Sequence, residues 1–166
     1  MIMNYLKIFV GIFVALAASR FIPHPWNFTS LLALSFYVPA ILGLRYIPLL
    51  ILSFAITDFF IGYHSLTHWT WGSVFLIGFL PIFFKNSIKL RIPGALTGAV
   101  IFFVVTNFGV WSTGAYGYSV AGLVTCYTLA IPFFASSLLS TFLFSLLIES
   151  AYHLYKTKLV SSSKFS

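Results

Sequence analysis

Asp58 is the residue whose surroundings ask for the most explanation. It stands in Ser53-Phe54-Ala55-Ile56-Thr57-Asp58-Phe59-Phe60, an otherwise apolar run. A charge at mid-bilayer costs about 2.5–3.5 kcal/mol on insertion scales, so such a group faces the protein interior and finds a partner. The expected partner is Arg20, or else a nearby histidine or loop amide. The pairing either ties two helices together or contributes to holding a ligand, and the sequence leaves both roles open. His24, His64 and His68 carry imidazoles, which suit transition metals. His64 and His68 are four apart, the spacing for two ligands on one helix face. Gly62–Trp69 reads as a loop, however, so that spacing loses its force and no metal site is assigned. Cys126 is the one cysteine; it excludes an intramolecular disulfide and reads as a small hydrophobe. Glu149 and His153 are four apart and read as a helix-surface pair. The two acids fall near opposite faces, so they form no acid/base couple. With no Ser/His/Asp elbow, phosphate-binding loop or CxxC, the chain is not read as an enzyme and no cofactor is expected. Asn27-Phe28-Thr29 fits a glycosylation acceptor, a triplet that chance often supplies.

The elements that must position these groups are membrane helices. Of 166 residues, 60% are hydrophobic, 20% aromatic and 7% charged, where a soluble domain has about 25% charged residues. Two acids cannot make a soluble surface. The net charge of +7 does not indicate nucleic acid, because the basic residues lie far apart along an apolar chain. Spanning helices need roughly 20 mostly apolar residues. Breaks at Arg20–Asn27, Arg45, Gly62–His68 and Lys85–Arg91 divide the chain. The 57 uncharged residues between Arg91 and Glu149 hold two further spans, joined by a loop at Ser112–Gly117. The expectation is an all-α, polytopic bundle of six helices: about 2–20, 29–44, 46–62, 70–84, 93–111 and 123–155. One transmembrane domain, 1–158, precedes a flexible cytoplasmic tail, 159–166. Pro132 either kinks the last span or, as part of Ile131-Pro132-Phe133-Phe134, marks its true start. Lys7, the run Ile8–Ala17 and Ala15-Leu16-Ala17 also have the layout of a signal peptide. The same stretch places Gly11, Ala15 and Ser19 four apart, a small-residue face for packing a partner helix.

Charge sets the expected orientation. With the N-terminus cytoplasmic, Lys7, Arg45, Lys85, Lys89, Arg91, Lys156, Lys158 and Lys164 lie inside and only Arg20 lies outside. An even number of spans returns the C-terminus inside. The outer side then collects three of four histidines and all four tryptophans. An aromatic belt would populate both interfaces, whereas these tryptophans avoid the inner one. A mainly apolar pocket with a few placed polar groups is what a small ligand needs. Arg20, His24, Trp26, Asn27, Asp58, His64, Asn107 and Trp111 are the expected substrate-binding residues.

These segments carry a resemblance. Arg20-Phe21-Ile22-Pro23-His24-Pro25-Trp26-Asn27-Phe28-Thr29 resembles the R-x-x-P-H-P-x-N-F-T signature of an uncharacterised bacterial family of small membrane proteins. Asp58–His64 resembles its D-x-x-x-G-x-H block. Thr106–Trp111 resembles a third block, and Cys126-Tyr127 with Ala130–Phe134 a fourth. The similarity spans nearly the whole chain. The family looks like the substrate-binding S components of energy-coupling-factor vitamin transporters, which have six helices and an outward-opening pocket. In those proteins, small residues on the first helix face the transmembrane coupling subunit. The resemblance therefore implies a bacterial cytoplasmic-membrane protein that captures a small vitamin-like solute. Gly11, Ala15 and Ser19 would face a coupling subunit, ATPase partners would drive transport, and aromatics would stack on the solute while Asn27, Asn107 and His64 orient it. Cys126, in the expected last helix, does not match the cobalt-binding cysteine of some solitary S components, so cobalamin is not inferred. A structural or assembly subunit that docks another membrane protein, and a transition-metal transporter, are the alternative readings.

Overall fold

The computed structural model describes residues 2–84 and 87–162. Among them every regular element is a helix. Helix α1 covers Ile2–Phe21 and α2 covers Leu31–Leu42; a 3-10 turn at Leu44–Tyr46 leads into α3, Ile47–Ile61. Helix α4 (Thr67–Ile77) and the single turn α5 (Pro81–Phe84) follow. Then come α6 (Ile88–Ser112), α7 (Val120–Leu129) and α8 (Ile131–Ser162).

Five segments are long and apolar enough to cross a membrane: Met3–Phe21, Leu44–Ile61, Thr67–Phe84, Ile88–Ser112 and Ile131–Thr157. Several long apolar helices point to a membrane protein. The expected span at 29–44 is a 12-residue helix instead. At 1.5 Å per residue it is about 18 Å long, against a hydrocarbon core of about 30 Å. Its end is set by Gly43, whose φ of 104° lies where residues with a Cβ seldom go.

The expected last span, 123–155, is two helices. α7 stops at Leu129 and α8 starts at Ile131. Proline has no N–H to give, and the first turn of a helix requires none. Pro132 therefore opens α8 rather than kinking a longer helix. Cys126 accordingly lies on α7, not on the final helix. Lys89 and Arg91, expected in a loop, belong to the start of α6, which begins after an extended Ser87. Lys85, Lys164 and tail residues 163–166 lie outside the described residues, as does the side chain of Lys158.

Glycines govern the closest helix packing. A Cβ on Gly109 would come within 2.5 Å of the Trp69 ring, and one on Gly98 within 2.9 Å of Ile77. One on Gly94 would meet Phe84 and Phe36 at 2.6 and 2.7 Å. The contacts run in opposite chain order, so α4 and α5 lie antiparallel along α6. Gly94, Ala95, Gly98 and Ala99 are all buried and form the small face that lets these backbones approach. The face expected on α1 behaves differently. Gly11 and Ala15 are exposed, and nothing lies within 4 Å of a Gly11 Cβ. Ser19 turns inward, where its hydroxyl meets that of Ser30 at 2.7 Å. The buried stripe of α1 is Ile12 and Leu16, packed with Leu50 and Phe54 of α3.

Candidate functional site

The site is built where the ends of α1 and α3 meet the turn before α2. Arg20, in the last turn of α1, donates from one guanidinium nitrogen to Asp58 Oδ1 at 2.5 Å and from the other to the Thr57 hydroxyl. Trp71 Nε1 donates to Asp58 Oδ2 at 2.6 Å. The guanidinium also lies 4.7 Å from the centre of the Phe54 ring. The expected Arg20–Asp58 pair is therefore present, and the indole of Trp71 completes it. Both side chains are largely buried, at 14% and 10% exposure. A buried ion pair persists only when further hydrogen bonds satisfy its members, and Thr57 and Trp71 do that here.

Above this pair lies the turn Pro25–Phe28, closed by Phe28 N–H donating to the Pro25 carbonyl at 2.9 Å. Its third position, Asn27, has φ 59°, a left-handed conformation that asparagine tolerates better than most residues. The Asn27 carbonyl accepts from the Ser140 hydroxyl of α8 at 3.4 Å. The turn is thus fastened to the last helix.

Two adjoining clefts open here, of about 270 and 260 Å³. Asn27, His64, Thr70, Phe102 and Ser137 line both, so they form one recess. Arg20, His24 and Asp58 lie on one side, and Asn107 and Phe134 on the other. Together the clefts reach the lower part of the range for small-molecule sites, roughly 300–1,000 Å³. The backbone contacts of the two histidines favour different neutral tautomers. His24 Nδ1 sits 2.7 Å from the Pro25 carbonyl, which can only accept, so in the neutral ring Nε2 is left as an acceptor. His64 Nδ1 accepts from the Leu66 N–H at 3.2 Å, so in the neutral ring Nε2 carries the hydrogen and is a donor. Asn107 donates to the Phe103 carbonyl at 2.7 Å.

Six of the eight expected residues line this recess: Arg20, His24, Asn27, Asp58, His64 and Asn107. Trp26 does not; it is 76% exposed and stacks on Phe133 with centroids 5.4 Å apart. Trp111 does not either, and packs with Phe108 and Tyr118. Trp71, Thr70 and Ser137 belong to the site and were not singled out for it by the sequence. Among the described residues, no three of His, Cys, Asp and Glu are grouped so as to hold a metal ion. Cys126 is buried and donates to the Asn107 carbonyl at 3.4 Å.

Glu149 has a different partner from the expected His153. Arg91 Nε and Nη2 each donate to one Glu149 oxygen at 2.6 Å. A planar fork matching a carboxylate in this way is stronger than a single contact, and it joins α6 to α8.

A family model described as a family of unknown function (DUF6580) matches residues 2–163. No curated protein and no solved structure matches the chain. The chain belongs to the DUF6580 family.

Proposed function

We propose that this DUF6580 member is a substrate-binding subunit of a membrane transport system, similar in role to S components, that captures a small vitamin-like solute at the outer face. The recess beside the Arg20–Asp58 pair carries this reading. It offers a fixed donor at His64, a fixed acceptor at His24 and amides at Asn27 and Asn107, among the aromatic walls of Phe54, Phe102 and Phe134. Such a lining suits a neutral, planar solute with both donors and acceptors. The chain acts as a binder, not an enzyme, in the cytoplasmic membrane of a bacterium, with both termini inside. The exposed Gly11 and Ala15 would leave room for a coupling subunit, and ATPase partners would supply the energy. Exposed Trp26, Tyr63 and Tyr118 at the same end favour a second reading, in which this rim docks another membrane protein.

The proposed bundle crosses the membrane six times. Arg20 and Asp58 bring the C-terminal ends of α1 and α3 together, so the chain between them must return. Ser30, before α2, bonds to Ser19 late in α1. Tyr46, after α2, packs on Tyr5 early in α1 at 5.3 Å. These contacts support a reading in which helix α2 carries that return despite its length.

Native mass spectrometry of gently purified protein tests the solute reading. Wild type is expected to carry a small molecule that Asn27→Gly releases. Glycine keeps the left-handed turn and removes only the amide. Lipid alone in repeated preparations would overturn solute capture, and a stably bound membrane protein would turn the assignment to docking.

A further inference from the structure

The last helix carries polar residues where lipid-facing or core apolar ones would be expected. Ser137, Thr141, Ser145 and Glu149 recur every fourth position and share one face of α8. All four are buried, at 3%, 0%, 0% and 5% exposure. Ser137 lines the recess described above. Glu149, with His153 one turn further, lines a separate groove of about 680 Å³ at the other end of the bundle. The face therefore joins two openings, and the rise from 137 to 153 is about 24 Å at 1.5 Å per residue.

The hydrogen bonding along this face is incomplete. Elsewhere, helical hydroxyls close back onto the preceding turn: Ser35 to Leu31, Ser53 to Leu49, Ser73 to Trp69, Thr97 to Pro93. Thr141 and Ser145 do not, and among the described residues neither buried hydroxyl makes a well-formed hydrogen bond. The hydroxyl of Tyr37, from α2, comes within reach of Ser145 and Glu149 but makes no well-formed hydrogen bond to either. A buried hydroxyl without a partner costs about 1–3 kcal/mol. Thr141 bears that cost outright, and Tyr37 and Ser145 bear part of it because their contact is poorly aligned; small polar guests on the path would relieve it. Water does so in polar sites that give it two to four partners.

We infer that this face of α8 holds a file of water and passes protons between the recess at Ser137 and the groove at Glu149. Each proton accepted at one end is matched by one released at the other, and no covalent bond in the protein is made or broken. Thr141, Ser145 and Tyr37 both donate and accept, as a relay requires. The charged and titratable groups around the far end are Arg91 from α6, Tyr37 from α2, and Glu149, Tyr152, His153 and Lys156 from α8 itself. The Arg91–Glu149 pair anchors the end of the file, and His153 in the groove is the exchanging group. The inference stands apart from solute capture, because the flux requires no solute.

The test uses the full chain in phosphatidylcholine and phosphatidylglycerol vesicles containing a pH-sensitive dye. A potassium gradient with valinomycin supplies the driving potential. Wild type is expected to carry protons faster than empty vesicles. Thr141→Val combined with Ser145→Ala should reduce the rate to that of empty vesicles, and so should Tyr37→Phe, which keeps the ring and removes only the hydroxyl. Thr141→Ser and Ser145→Thr retain hydroxyls and should retain the flux. Wild-type vesicles no faster than empty ones, or Tyr37→Phe vesicles as fast as wild type, would overturn the proposal.

Discussion

Both carboxylate oxygens of Asp58 are taken by donors from the protein itself, Arg20 on one and Trp71 on the other. Asp58 therefore frames the recess, and the histidines and amides are better placed to meet the proposed solute. Arg20 spans two acceptors with two nitrogens, Thr57 and Asp58. A lysine ammonium is a point charge on a flexible stem and cannot reproduce that fork. Removing one partner of a buried pair costs about 3–5 kcal/mol, because the other charge is left uncompensated. Asp58→Asn and Arg20→Lys should each lower the thermal unfolding temperature in detergent, followed by tryptophan fluorescence. Asp58→Asn should have the larger effect, since it strands a cation. Unchanged unfolding for both would remove the pair's structural role. The sequence pointed to this pair because one buried acid and one cation on the same side leave few other choices. It gave no pointer to Trp71, because an indole N–H fits a belt tryptophan as well as a hydrogen-bonded one.

At the scale of helices, the contrast between two small-residue faces is instructive. Gly11, Ala15 and Ser19 have the right spacing on α1, yet two of them are exposed. Gly94, Ala95, Gly98 and Ala99 on α6 are the ones buried against neighbours. Spacing records which residues share a face, and the direction that face points is decided by the rest of the bundle. Ile12 and Leu16 turn α1 so that its glycine faces away. Mutation should separate the two faces. Gly109→Ala puts a methyl group into the Trp69 ring, and overpacking of this kind costs typically 1–3 kcal/mol. Gly11→Ala meets nothing within 4 Å and removes a glycine from a helix interior, a gain of roughly 0.5–1 kcal/mol. Gly109→Ala should unfold at lower temperature than wild type, and Gly11→Ala at the same or higher temperature. The reverse order would refute the assignment of the packing face to α6. The division at Ala130 was only one of two readings the sequence left open, because a proline either kinks a helix or fits its first turn without loss.

For the whole molecule, the number of crossings turns on α2. Hydropathy reads length well, so α1, α3 and α6 were expected close to where they lie, whereas the span expected at 123–155 is divided between α7 and α8. Hydropathy cannot tell a short helix that crosses from one that lies inside, and α2 is such a helix. Tertiary contacts support the crossing proposed for it. The Arg20–Asp58 pair fixes the two ends of α1 and α3 on one side, while Tyr5 and Tyr46 pack at the other. A 12-residue helix would bridge these levels because it starts beside the last turn of α1, where Ser30 meets Ser19, and its neighbours enclose it: Ala33, Ser35, Phe36 and Tyr37 are almost fully buried. The six crossings we propose would place Ile22 and Ser65 on one side of the membrane and Leu44 on the other. All three are exposed. Single cysteines at these positions, in a Cys126→Ser background, can be labelled on intact cells with a membrane-impermeant maleimide. Ile22→Cys and Ser65→Cys should react from outside, and Leu44→Cys only after permeabilisation. If α2 failed to cross, Ile22 and Ser65 would fall on opposite sides, and the labelling would show it. Labelling of Leu44→Cys alone from outside would keep the six crossings and invert the bundle, placing the recess on the cytoplasmic side against the charge bias of its loops.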